Sequence, residues 1–263
     1  MRIPIVSLLL LPLCSAAEPV ELWAKGVSQQ AGWYDYNKTF DGSDNEQCWA
    51  ITAANLINWW QNGHAESLPP DTPKGDAVVR SFVTGFSNAG SDPDEAISWW
   101  FTGEYNPGRK ECATLHPGNP GAYLKTCVPE GKGIKGTLLT AMRGPQVNAQ
   151  SATAALIDGA AAGAAFWIGV SYTSPAGRAA MHSLNVWGVR YTTEGEQRRL
   201  CGVWIADSDD YKSGLTYVGV REDSGMLIFD CPDHPIYSRI PRIVIDTIST
   251  VHPAPIQKPD VDK

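Results

Sequence analysis

Apolar and polar positions divide the chain into two parts with different periods. From Cys48 to Gln61, Ala50, Ala53, Ala54, Ile57 and Trp60 recur at helical spacing and Asn62-Gly63 follows as a stop signal. That pattern predicts a buried amphipathic helix. A second helix start is legible at Ser91-Asp92-Pro93, with Asp92 as cap, Pro93 in the first turn and an apolar run behind them. The stretch from Tyr105 to Lys135 is rich in Gly and Pro and reads as a long loop, and a third helix is predicted over Ala152 to Ala162. Beyond that point the runs become short, β-branched or aromatic: 164–172, 182–191, 200–207, 214–222, 225–230 and a last one near 242–248. Turn residues such as Thr193-Glu194-Gly195 and Asp223-Ser224-Gly225 separate them. The connections are too short for crossover helices, so the sheet should be antiparallel. Helices first and an antiparallel sheet afterwards predict an α+β domain.

The two ends read differently. Arg2, an apolar run from Ile3 to Leu13 and the small residues Ser15, Ala16 and Ala17 form the pattern of a secretory signal peptide over 1–17. One domain is expected over 18–250, with a loose, Pro-containing tail over 251–263. The expected compartment is therefore secreted or periplasmic. No later apolar run approaches the roughly 20 residues needed to cross a bilayer, so no membrane insertion is expected. A net charge of -7, from 21 basic and 28 acidic side chains, argues against a broad nucleic-acid or anionic-membrane footprint.

Cysteine arithmetic then points to chemistry. Of six cysteines, Cys14 lies in the leader, which leaves five in an oxidising setting. If Cys112 pairs with Cys127 and Cys201 with Cys231, one of three possible connectivities, Cys48 is the thiol left over. Cys48 sits where the polar stretch DGSDNEQ gives way to a helix, whose positive end favours a thiolate; the bland alternative is an inert buried thiol or half of a disulfide. A nucleophilic thiol needs a base and a group that orients it. His64, His116, His234 and His252 fall near stops, prolines or the tail, whereas His182 opens the apolar run HSLNVWGV. One strand later WIADSDD ends in Asp207, Ser208, Asp209 and Asp210, and strand alternation places Asp207 and Asp209 on one side, where they could hold an imidazole. No H-E-x-x-H or C-x-x-C spacing marks a metal site, and the GKGIKGT run has the wrong order for a phosphate loop. Neither a metal nor an organic cofactor is expected.

The blocks GWYDYNKTFDGSDNEQC (Gly32 to Cys48) and NxxxWW (Asn55 to Trp60) resemble the nucleophile region of the IdeS/Mac family of secreted, immunoglobulin-degrading cysteine proteases. The blocks HSLNVWGV, WIADSD and YVGV are similar to later parts of that family, in the same order. The resemblance implies a papain-like fold, in which an N-terminal helical part carrying the nucleophile helix packs on a C-terminal antiparallel β-sheet. It implies Cys48 as nucleophile, His182 as base, Asp207 as the residue orienting it, Asp209 as a supporting carboxylate and Lys38 at the oxyanion hole. A monomer that cleaves a host protein is expected, with the hinge-proximal heavy chain of an immunoglobulin as leading substrate. The segment between His64 and about Gly163 does not align, and the family members lack the additional cysteines. Two rivals remain: a transglutaminase-like acyltransferase using the same triad, and a non-catalytic immunoglobulin or matrix binder.

Overall fold

A computed structural model describes residues 18–39, 41–108, 110–128, 133–232 and 237–253. The expected signal peptide and residues 254–263 of the expected tail lie outside them. Strand β1 (Val20–Trp23) is followed by helices α1 (Cys48–Gly63), α2 (Asp76–Gly85) and α3 (Pro93–Thr102). Strand β2 (Leu139–Arg143), helix α4 (Ala149–Ala161) and strands β3 (Ala165–Thr173), β4 (Ala179–Glu194) and β5 (Gln197–Ala206) come next. The chain ends in β6 (Thr216–Asp223), β7 (Met226–Asp230) and β8 (Ile243–Val251).

Local chemistry accounts for the helix starts. Asp92 accepts the Asp94 amide and Pro93 occupies the first turn of α3, as the sequence predicts. Asn148 and Ser151 form a reciprocal capping box that starts α4 three residues earlier than its apolar periodicity suggests. Helix α2, absent from the sequence reading, buries only Val78, Phe82 and Gly85, too thin a stripe to stand out.

The expected papain-like packing of a helical part on an antiparallel sheet is not what forms. Strands β3 to β8 pair in sequence order, each antiparallel to the next, and β8 returns to pair with β3, so six strands close into a barrel. The closing register runs from Ala165 opposite Val251 to Tyr172 opposite Ile243. Register shifts at Gly169/Val170 in β3, and at Val186/Gly188 and Arg190/Tyr191 along β4, supply the bending that closure requires. β1 and β2 extend the sheet from β4 and β8. An open and a closed sheet share the same alternation, which is why the sequence does not separate them.

Alternation divides the interior into two cores. Phe166, Ile168, Val170, Leu184, Val186, Val203 and Ile205 point into the barrel, where α4 contributes Leu156 and Ile157. The opposite face of β3 and β4 presents Trp167 and Trp187 to an aromatic core with Trp49, Phe82, Phe86, Trp99 and Trp100 from the helical part. Helix α1 is fastened to β4 by polar bonds: Thr52 Oγ1 donates to the Ser183 carbonyl at 3.0 Å, and Asn55 Nδ2 donates to Asn185 Oδ1 at 2.8 Å. These bonds fix where the first residue of α1 lies relative to the start of β4.

All five described cysteines are free, which corrects the expected pairing. Cys201 lies on β5 and Cys231 just beyond β7, with β6 between them, as the chain of partners Gly202, Gly219 and Asp230 shows. Two strand spacings come to roughly 9–10 Å, beyond the Cα separation that a disulfide spans. Cys127 is buried in the helical core, whereas the Cys112 thiol lies 3.9 Å from the Pro107 carbonyl.

One buried carboxylate ties the two parts together. Asp94 Oδ1 accepts from Trp167 Nε1 and from Ser249 Oγ, both at 2.7 Å, and its Oδ2 pairs with Arg143 at 2.6 Å. Asp94→Ala would leave an indole N–H and a hydroxyl buried without an acceptor, at a cost of about 2–4 kcal/mol. Thermal unfolding should show a loss of about 5–10 °C in Tm. A loss under about 2 °C would mean that the network relaxes freely.

Candidate active site

Three elements place the candidate side chains. Cys48 is the first residue of α1, where backbone amides have no acceptor inside the helix and the dipole is positive. His182 lies near the start of β4, on the face that continues through Leu184 and Val186 into the barrel core. Asp207 follows directly on β5. β4 and β5 are neighbours, and Asn185 pairs with Ala206, so the imidazole and the carboxylate meet at one end of the barrel.

His182 Nε2 lies 2.7 Å from Asp207 Oδ1, both side chains being buried. With that nitrogen committed, the ring's other nitrogen serves Cys48, whose thiol is hydrogen-bonded to His182 and to the Ser183 backbone amide. Burial opposes charge on Cys48, but the hydrogen bond and charge of His182, the Ser183 amide and the Lys38 ammonium outweigh it and hold the thiol below its usual range. Burial would also lower His182, yet the charge of Asp207, its hydrogen bond and Cys48 hold the imidazole well above its usual range. Asp207 is kept low despite its own burial, chiefly by His182, with hydrogen bonds from Tyr237 and the Asp209 amide adding to it. These effects act together to favour a thiolate–imidazolium pair backed by a carboxylate.

Asp209 does something other than the alternation predicted. The strand ends at Ala206, and the Asp210 amide donates back to the Asp207 carbonyl at 3.3 Å, so 207–210 form a turn and strand alternation no longer applies. The Asp209 amide donates to Asp207 Oδ1 at 2.9 Å while its carboxylate pairs with Lys38 Nζ at 2.6 Å. Lys38 is buried, also donates to the Asn45 carbonyl at 2.7 Å, and is fastened through its amide to the Ser208 carbonyl at 3.1 Å. Asp209 thus holds the lysine, and Lys38 acts on Cys48 through its charge.

Several neighbours were not legible in the sequence. Tyr237, in a 3-10 turn at Tyr237–Arg239, donates its hydroxyl to Asp207 Oδ2. Tyr172 faces His182, Asp207, Asp209 and Cys48 from β3. Asp35 accepts the Gly214 amide at 2.7 Å, and its carboxyl is pushed up to about 7 by burial, with the charges of Asp210 and Asp207 adding to the effect against that bond. No sequence signal marks Tyr237, because a lone tyrosine carries no spacing motif.

The site opens into a cleft of about 790 Å³ that Cys48, His182, Trp167 and Met181 line together with acidic side chains such as Glu46 and Asp246. A concavity of similar size, about 820 Å³, lies between the start of α4 and the β4–β5 hairpin, but neither cysteine nor histidine lines it. Ligand atoms of His182, Asp207 and Asp209 fall within 4.8 Å of one another, close enough for a cation. Asp207 is already engaged by His182 and Tyr237 and Asp209 by Lys38, so donors on this chain meet that negative charge. Fold and site together define a Cys–His–Asp thiol centre at the mouth of a six-stranded barrel. No protein-family model matches the chain, and no curated protein is significantly similar to it.

Proposed function

We propose that this chain is an exported cysteine endopeptidase. The observation that carries the reading is the relay from Cys48 through His182 to Asp207, opening on a cleft large enough for a peptide segment. The Cys48 thiolate attacks a backbone carbonyl, and the oxyanion is met by the Cys48 amide and by the positive charge of Lys38. His182 gives its proton to the leaving amine, which departs and leaves a thioester on Cys48. Neutral His182 then takes a proton from water, whose oxygen attacks the thioester and releases the new carboxyl end and the Cys48 thiolate beside the imidazolium. Asp207 holds the ring throughout. An immunoglobulin heavy chain near its hinge is the leading substrate, on the resemblance of the motif blocks to the IdeS/Mac proteases.

The test is incubation of the chain from residue 18 onward with intact antibodies and a panel of unrelated proteins. Fragments that appear, and that disappear when the protein is first alkylated with iodoacetamide, support the reading. Incorporation of a labelled amine into intact protein, with no fragments, would replace it with acyl transfer. A panel left wholly uncut and unlabelled would overturn both.

Alkylation offers a further check. Cys48 should react with iodoacetamide within minutes at neutral pH and without prior reduction, ahead of Cys231, whose thiol burial pushes up to about 11. Peptide mapping after a short pulse reads the order. Labelling of Cys231 before Cys48 would contradict the thiolate assignment.

A further inference from the structure

Asp207 is held from both sides. Its Oδ1 faces His182 Nε2 and the Asp209 amide, and its Oδ2 accepts the Tyr237 hydroxyl. Tyr237 reaches it from a segment thirty positions further on, as a buried side chain at the barrel mouth. Its ring packs edge-on against Phe229 of β7 with centroids 5.6 Å apart, and its carbonyl accepts the Ile240 amide at 3.0 Å. The ring thus rests against a strand of the barrel wall, on a segment separate from the loop that carries Asp207.

We infer that Tyr237 is a positioning residue, the fourth member of the relay, which fixes the plane and the ionised state of Asp207 so that Asp207 can hold His182 as an imidazolium. This rests on the proposed thiol chemistry. A buried carboxylate oxygen that loses a hydroxyl donor is left poorly solvated, which disfavours the charge on Asp207. Asp207 then supports the imidazolium less, the balance shifts from thiolate–imidazolium towards the neutral thiol–imidazole pair, and the thiolate is fully formed only at higher pH. Burial and the charge of Asp207 push the Tyr237 hydroxyl well above its ordinary range, so it stays a donor at any working pH. Among the described residues, the charged and titratable groups facing this assembly are Cys48 from α1, Lys38, Asp35, Asp209 and Asp210 from the flanking loops and Tyr172 from β3.

The experiment is the rate of Cys48 alkylation by iodoacetamide against pH, in the unmodified chain, Tyr237→Phe, Asp207→Asn and the double variant. It reads the thiolate without needing a protein substrate. Tyr237→Phe should lose roughly tenfold in rate near pH 5.5, where Cys48 depends on the ion pair, and change less than about twofold near pH 9.5, where a thiol ionises unaided. In the Asp207→Asn background the same substitution should change the pH 5.5 rate by less than about twofold, because Tyr237 acts through Asp207. A merely structural defect would lower the rate at both pH values. An unchanged profile in Tyr237→Phe, or an equal loss in both backgrounds, would overturn the inference. An unmodified chain with no fast reaction on the acid side would overturn the thiolate reading itself, and this inference with it. Should Tyr237→Phe fold poorly, Phe229→Leu, which loosens the ring and keeps the hydroxyl, should give a smaller loss of the same sign; no loss there counts against the inference.

Discussion

In the Cys48→Ala protein, hydrolysis of any substrate that the unmodified chain cuts should fall by about 10⁴-fold or more, which in practice means that no fragments appear. In the proposed reaction, Cys48 is the group through which every step passes. His182 and Asp207 have no role in attack without it, and the charge of Lys38 then faces no developing oxyanion. The fold should survive, because Cys48 is half-buried at the first helical position and its bonds to His182 and to the Ser183 amide are made by the thiol. Alanine suits a helix start, so stability should stay within about 1 kcal/mol of the unmodified chain. Cleavage that persists within tenfold would show that the thiol is not the nucleophile. Binding to antibody that persists without cleavage in both proteins would favour the non-catalytic reading.

The sequence carried more of the site than of the fold, for a physical reason. Cys48 at a helix start, His182 opening an apolar strand and Asp207 closing the next are each local features. Antiparallel neighbours in sequence then bring the last two together without long-range knowledge. Barrel closure depends instead on β3 meeting β8, a pairing whose residues lie far apart in the chain and which alternation permits but does not require. The same limit applies to the cysteines: counting them suggested pairs, whereas the interposed β6 keeps Cys201 from Cys231. Asp209 pairs with Lys38 because a turn replaces the strand after Ala206, where alternation no longer applies. Tyr237 was invisible because its contribution is one hydroxyl delivered from the far side of the barrel.

The second large effect concerns the base. His182→Ala should lower hydrolysis at neutral pH by about 10³-fold, in the range that removal of a general acid–base group produces. It removes the proton donor for the leaving amine and the hydrogen-bonded partner that keeps Cys48 ionised. The pH dependence gives the sign. In the unmodified chain, activity should rise as Cys48 loses its proton, below the ordinary thiol range, and fall only as His182 loses its own, well above the ordinary imidazole range. Between those limits the site holds one thiolate and one imidazolium, and the carboxylate of Asp207 stabilises the latter. Without the imidazole, Cys48 keeps only Lys38 and the Ser183 amide against its burial, so its ionisation moves up. Alkylation of Cys48 should then be slow near pH 6 and recover above about pH 9, giving a single rising limb where the unmodified chain should give an early plateau. A His182→Ala protein that keeps the early plateau would assign the thiolate to Lys38 and the helix start. Asp207, left without its imidazolium but still bonded by Tyr237, would then have no part in setting the charge of the nucleophile.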